Sequence, residues 1–168
     1  YYRDSIHVIS SSGPENTIID GDMNGVVVRE LAINMHIEGF TITGGSAYND
    51  YNLGWQHGAI GVWGSEYFRV ETITIKNVVF QGNDIAINFG FGNGHQGNSN
   101  LDGLLSATIS NCTFIIDSDA YPGLRIDDQY GGSYSFSNSI FYSSLDNNYF
   151  QIAGTGNLIS LNNSIVSS

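Results

Sequence analysis

The stretch Ile73-Thr-Ile-Lys-Asn-Val-Val-Phe80 comes back three more times in this chain, and that recurrence restricts the fold more than any other feature. Its pattern, apolar-x-apolar-x-Asn-x-x-apolar, returns as Ala107-Thr-Ile-Ser-Asn-Cys-Thr-Phe114, Tyr134-Ser-Phe-Ser-Asn-Ser-Ile-Phe141 and Ile159-Ser-Leu-Asn-Asn-Ser-Ile-Val166. Degenerate copies precede it, Asn16-Thr-Ile-Ile19 and Met35-His-Ile-Glu-Gly-Phe-Thr-Ile42, the second with Gly39 in place of the asparagine. The markers at 16, 39, 77, 111, 138 and 163 are separated by steps of 23, 38, 34, 27 and 25 residues. A step that never falls below the low twenties and grows in lumps is the signature of a solenoid with loop insertions.

Within each copy the apolar positions alternate, which identifies strands with one buried face. Two residues before the marker stand Ile37, Ile75, Ile109, Phe136 and Leu161; three after it stand Ile19, Ile42, Phe80, Phe114, Phe141 and Val166. Stacked about 4.8 Å apart, these become ladders of like residues. The marker falls between two strands, where Asn and Gly tolerate the left-handed backbone of a sharp corner. A second column reads Val26-Val-Val28, Ile60-Gly-Val62, Ile85-Ala-Ile87, Leu124-Arg-Ile126 and Phe150-Gln-Ile152. Its middle residues are expected to face outward, followed on the same face by Arg29, Trp63, Asn88, Asp127 and Ala153.

The expected fold is all-β: a single-stranded parallel β-helix of about six turns, one domain over residues 1–168, with two loop insertions. Six turns would make a rod about 30 Å long. At this point the chain resembles the right-handed parallel β-helices of the pectate-lyase-like superfamily, with their stacked aliphatics and internal Asn ladders. The resemblance covers nearly the whole sequence and implies a right-handed coil. It does not select a chemistry, because lyases, hydrolases, esterases, adhesins and tail-spikes share the scaffold. Neither end reads as the polar cap a solenoid needs. The chain is therefore expected to be part of a longer one, or a unit that stacks end to end on its own kind or on an adjacent domain.

Composition narrows the partners. Five basic residues stand against sixteen acidic ones, a net charge of −11, so nucleic acid is not an expected partner: the cations that release phosphate counterions are missing. No apolar run approaches the length of a membrane span. The single Cys112 falls in an inward column with Phe40, Val78, Ser139 and Ser164 and is expected to be a buried thiol. Scarce lysine, abundant Asn and Gly, and the fold resemblance point to an extracellular or cell-surface protein.

The insertions run from about 44 to 58 and from about 90 to 103, entering and leaving the second strand column on neighbouring turns. They are expected to wall a groove over its outward face, loops on a rigid scaffold being where binding residues gather. On that face Trp63, Asn88 and Asp127 suit a sugar, the indole stacking on a ring and the polar groups bonding hydroxyls. Arg125 suits a uronate carboxylate. Tyr48, Tyr51 and Trp55, with His57, supply aromatics in the first insertion, as ligand platform or as loop packing. The expected ligand is a polysaccharide or other glycan; the alternative is a structural or adhesive rod whose face is merely solvated. Asp84, Arg125 and Asp127 are the weak catalytic candidates, two carboxyl groups being the requirement for sugar hydrolysis. If the protein is an enzyme, it is expected to be a polysaccharide hydrolase or lyase. Gly123-Leu-Arg-Ile126 is similar to the Gly-x-Arg-Ile-Lys motif of polygalacturonases, and Gly94-His-Gln-Gly97 echoes their Gly-His-Gly. Asp127 replaces the motif's Lys, and Asn83-Asp84 replaces a pair of Asp. No cofactor is implied and no metal site is assigned. Calcium is the ion that segments such as Asp20-Gly-Asp22 and Asp117-Ser-Asp119 would suit, although no ligand loop of recognised spacing is present.

Overall fold

The computed structural model describes residues 3–29, 32–47, 58–63, 71–90, 106–118, 121–127, 132–143, 149–153 and 158–167. Among the described residues all regular structure is β-strand. The first turn comprises β1 (Arg3–Ile9), β2 (Ile18–Asp20) and β3 (Val28–Arg29); the second β4 (Ala32–Glu38), β5 (Thr41–Thr43) and β6 (Ile60–Trp63); the third β7 (Thr72–Lys76), β8 (Val79–Phe80) and β9 (Ile87–Gly90). The fourth adds β10 (Ser106–Ser110), β11 (Thr113–Ile116) and β12 (Leu124–Asp127), the fifth β13 (Ser133–Ser137), β14 (Ile140–Ser143) and β15 (Phe150–Ala153), and a last rung β16 (Leu158–Asn162) and β17 (Ile165–Ser167). Every pairing is parallel and joins strands one turn apart. The result is three sheets: A starts each turn with β1, β4, β7, β10, β13 and β16; B follows with β2 to β17; C closes the turn with β3, β6, β9, β12 and β15. This is a parallel β-helix.

The register of sheet B, Ile19–Ile42–Phe80–Phe114–Phe141–Val166, reproduces the column expected from the repeat. Inside the coil this column becomes a stack of rings. Phe80 and Phe114 lie 4.9 Å apart at 12°, and Phe114 and Phe141 lie 4.5 Å apart at 5°. Each fully buried aromatic removes enough apolar surface from water to contribute about 2–3 kcal/mol, with somewhat more from the ring contacts. From sheet A, Ile37, Ile75, Ile109 and Phe136 close the core, and from sheet C Ile60, Val62, Ile87, Phe89, Leu124 and Ile126 do the same. Ladder members on the last described rung, Leu161 and Val166, are exposed.

The A-to-B corners explain the marker. Asn77, Asn111, Asn138 and Asn163 take φ between 49° and 53°, and Gly39 takes 82°, the left-handed region that L residues other than Asn and Asp adopt at a cost. The ladder passes through the corner unbroken: the amides of Asn77, Asn111 and Asn138 each donate to the next turn at 3.0 Å. The asparagine side chains are exposed, so they do not form the internal amide ladder that the family resemblance implied. Backbone conformation selects them. The polar ladder inside the corner is made by the next residue instead. Ser139 Oγ accepts from Cys112 N at 3.3 Å and donates to Ser137 O at 3.0 Å, and Ser164 repeats the pattern one turn on. Asn16 is no member of the corner series. Its turn is bridged by a longer excursion that Ser10 and Thr17 pin, hydroxyl to hydroxyl, at 2.6 Å.

Candidate functional site

The outward face of sheet C carries the residues singled out above, and its register corrects their order. Ile87, not Ile85, pairs with both Ile60 and Leu124, and Val28, not Val26, pairs with Ile60. One outward row is therefore Arg29, Gly61, Asn88, Arg125 and Gln151; the next is Trp63, Gly90, Asp127 and Ala153. Asn88 moves from the row of Trp63 into that of Arg125. The slip is two residues, so alternation kept Asn88 and Arg125 on the outward face while their neighbours came out wrong, and Val27 and Ala86, expected outward, pack with the core. The cause is legible in retrospect: Ile85 and Ala86 are both buried, but they belong to the approach to β9.

Along the second row, Trp63 and Asp127 are separated by one rung, and that rung is Gly90, which has no side chain. Two rung spacings put their backbones about 10 Å apart. Their side chains, with Tyr48, Tyr51, Trp55, His57 and His95, lie outside the described residues. Asn88 is only 2% exposed despite its outward position. Arg125 is half-buried beside it.

Asp84 has a different task. Its Oδ2 accepts from Ala47 N at 2.8 Å and from Ser46 Oγ at 3.3 Å. Next to it, buried Asn83 donates to Ile42 O at 2.8 Å and Gln81 O at 3.0 Å and accepts from Gly45 N at 2.8 Å. Together they clamp 44–47, the stem from which the first insertion leaves. The returning stem is as tight: Gly58 N donates to Ser46 O at 3.0 Å, and at Gly58, with φ of 96°, a Cβ would meet Ile85 O at 2.3 Å. The register sets Asp127 level with Gly90, six residues beyond Asp84. Asp84 and Asp127 are therefore not level in the register of adjacent rungs. Sequence reasoning gave Asn83-Asp84 as a departure from a paired-Asp motif, with Asp84 a weak catalytic candidate, and did not foresee its hold on the loop stem; the nearby Gly44-Gly45 was the available signal.

Chain lengths between strands locate the insertions. Residues 44–59 join sheet B to sheet C in the second turn, against 21–27, 81–86 and 117–123 in neighbouring turns; 91–105 join sheet C to sheet A in the third, against 128–132 and 154–157 later. The long connectors therefore flank β6 and β9, which are paired strands, from opposite sides.

On the far side, the outward face of sheet A holds a polar cluster that the sequence reading passed over. His7 and His36 stack with centroids 5.3 Å apart. His36 Nε2 lies 2.9 Å from Glu38 Oε2, and Lys76 Nζ lies 3.1 Å from Glu38 Oε1. Hydrogen bonds from His36 first and Lys76 second hold the Glu38 carboxyl below its ordinary range. Among the described residues no group of three His, Cys, Asp or Glu could hold a metal ion, and no helix is long and apolar enough to cross a membrane. No family model, curated protein or solved structure matches this chain.

Proposed function

We propose that the protein is an extracellular or cell-surface glycan-binding β-helix whose site is the outward face of sheet C around Trp63, Arg125 and Asp127. The observation that carries this reading is the placement of both long connectors on opposite sides of the paired strands β6 and β9, beside the bare rung at Gly90. An indole and a carboxylate on either side of a bare rung, with a guanidinium two residues away along the strand, have the chemistry to stack on one sugar ring and bond its hydroxyls. Binding is favoured over hydrolysis because the Asp84 carboxylate, one of the candidate pair, is bonded to the loop stem at Ala47 N and Ser46 Oγ. Binding of the full chain to a panel of polysaccharides, measured beside Trp63→Ala and Arg125→Ala, tests the site. Both substitutions are expected to weaken binding at least tenfold; unchanged binding in both removes it.

A second reading, a structural or adhesive rod, is supported by the end rungs. Of the inward-facing ladder members, Leu161 and Val166 are each 47% exposed on the last described rung, and Val8 is 42% exposed on the first. Edges of parallel strands with exposed apolar residues invite a further rung from another module. Sedimentation that grows with concentration, in a protein that binds no polymer, is its signature.

A further inference from the structure

Two imidazoles on the outward face of sheet A meet across the seam between the first and second turns. His7 and His36 are level in the pairing of β1 with β4, and their rings stack at 5.3 Å with 14° between the planes. Both are open to solvent, His7 more so than His36. Beside them stands one carboxylate, Glu38, which His36 Nε2 meets at 2.9 Å and Lys76 Nζ at 3.1 Å. The other outward neighbours, Ser5, Ile9, Asn34, Thr72 and Thr74, carry no charge. Arg3, Asp4 and Glu71 come at the starts of β1 and β7, roughly 10 Å or more along the strands.

Packing across this seam is slack. A hollow of about 40 Å³ lies in it, lined by Ile6, Val8, Ile19 and Val28 from the first turn and by Met35 and Ile37 from the second. The ladder is long only in sheet A: β1 and β4 have seven residues each, whereas β2 and β5 have three and β3 has two. The imidazole pair therefore sits on the pairing that does most to close the seam. Imidazole is the side chain that gains charge in mildly acidic water. Glu38 favours a charge on His36, but both belong to β4, so that ion pair is the same whether the seam is closed or open. Lys76 belongs to β7, and its bond to Glu38 ties the second turn to the third. Neither contact involves β1. A proton on His7 as well sets two like charges 5.3 Å apart across the seam; at low salt that repulsion changes an equilibrium several-fold even at the dielectric constant of water. Opening separates the charges, so the open form is favoured where both rings carry protons and not where they are neutral. We infer that the His7–His36 pair is an acid-sensitive latch: protonation of both rings loosens the first turn from the second and bares the edge of β4 with Met35 and Ile37. The latch uses no residue of the sheet C face and stands or falls apart from the glycan site.

Hydrogen exchange of the full chain at about pH 7.5 and about pH 5, corrected for the pH dependence of intrinsic exchange, tests it. On acidification, amides of β1 and β2 are expected to lose protection several-fold relative to those of β13 and β14 in the fifth turn. The loss should shrink as salt rises, because the pair is exposed. His7→Gln and His36→Gln should each abolish the acid-dependent part. A purely structural role would instead raise exchange by one factor at both pH values and leave their ratio as it is. Loss of protection that is equal in all turns, insensitive to salt, or retained in either variant overturns the latch, and so does an unaltered protein with no acid response. Should one glutamine variant fail to fold, the other, with the salt dependence of the unaltered chain, still decides.

Discussion

The corner asparagines are held by conformation, and their replacement measures that directly. Asn111 sits at φ 53° with its side chain in solvent, so its contribution is tolerance of a left-handed backbone that costs other L residues about 1–2 kcal/mol. Asn111→Ala is expected to lower stability by about 1 kcal/mol in urea denaturation, and Asn111→Gly by less, since glycine adopts this backbone freely. If both were equally damaging, the amide itself would be making a contact. The following residue works in the opposite way. Cys112 is buried, and desolvation pushes its thiol up to about 12 from an ordinary value of 9.0, against the lowering effect of backbone hydrogen bonds. An unfolded chain releases this proton near the ordinary value while the folded chain retains it. The associated stability is therefore whole below that pH and is lost as pH rises from there toward the folded value. Subtracting the pH profile of Cys112→Ala from that of the unaltered protein isolates the effect from tyrosine titration. At neutral pH the thiol should react with a disulfide reagent only as fast as the chain opens.

Among the elements, the strands were readable and the connectors were not. Sheet B has short strands each carrying one large inward residue, and a column built on Phe80, Phe114 and Phe141 can be aligned by eye. Sheet C was harder because Ile85-Ala-Ile87 offers two apolar flanks, as Ile60-Gly-Val62 does, although only Ile87 begins the strand. Side-chain alternation repeats every two residues and cannot tell a register from one slipped by two; the hydrogen-bond ladder decides it. Much of the site's loop chemistry is carried by insertions without any period, which a pattern reading can count but not arrange. What the structure adds is the anchoring of the first insertion. The Asp84 carboxylate holds Ala47 N and Ser46 Oγ, bonds of the charge-assisted kind worth about 1.5–3 kcal/mol. Asp84→Asn should leave the strand ladders intact while speeding hydrogen exchange at the Ala47 amide. Asn83→Ala, which orphans Gly45 N and uncouples two carbonyls in the interior, should cost more, about 2–3 kcal/mol of global stability. If the insertion contributes to binding, the first variant weakens the ligand with little loss of stability, a separation that a purely structural loop would not give.

At the scale of the whole molecule, each turn touches only the turns before and after it, so stability is a sum of rungs and of the interfaces between them. The consequence of a core substitution then depends on where along the axis it falls. Phe114 is stacked between Phe80 and Phe141 and meets Phe136 edge-on, so Phe114→Ala removes contacts to the turns on both sides. Substitutions of this kind leave cavities costing about 3–5 kcal/mol. In a globular core that loss would lower the midpoint of one cooperative transition; in a coil it weakens the coupling between the first three turns and the last two. Denaturation of Phe114→Ala is therefore expected to broaden or split, with a reduced slope against denaturant, while Val166→Ala on the exposed end rung should shift the curve slightly and keep its shape. Equal slopes for Phe114→Ala and the unaltered chain would mean that the turns unfold as one unit. The first insertion leaves from the second turn and the second from the third, so both lie on the same side of the weakened interface. Ligand binding should then restore the transition of the first turns more than that of the last.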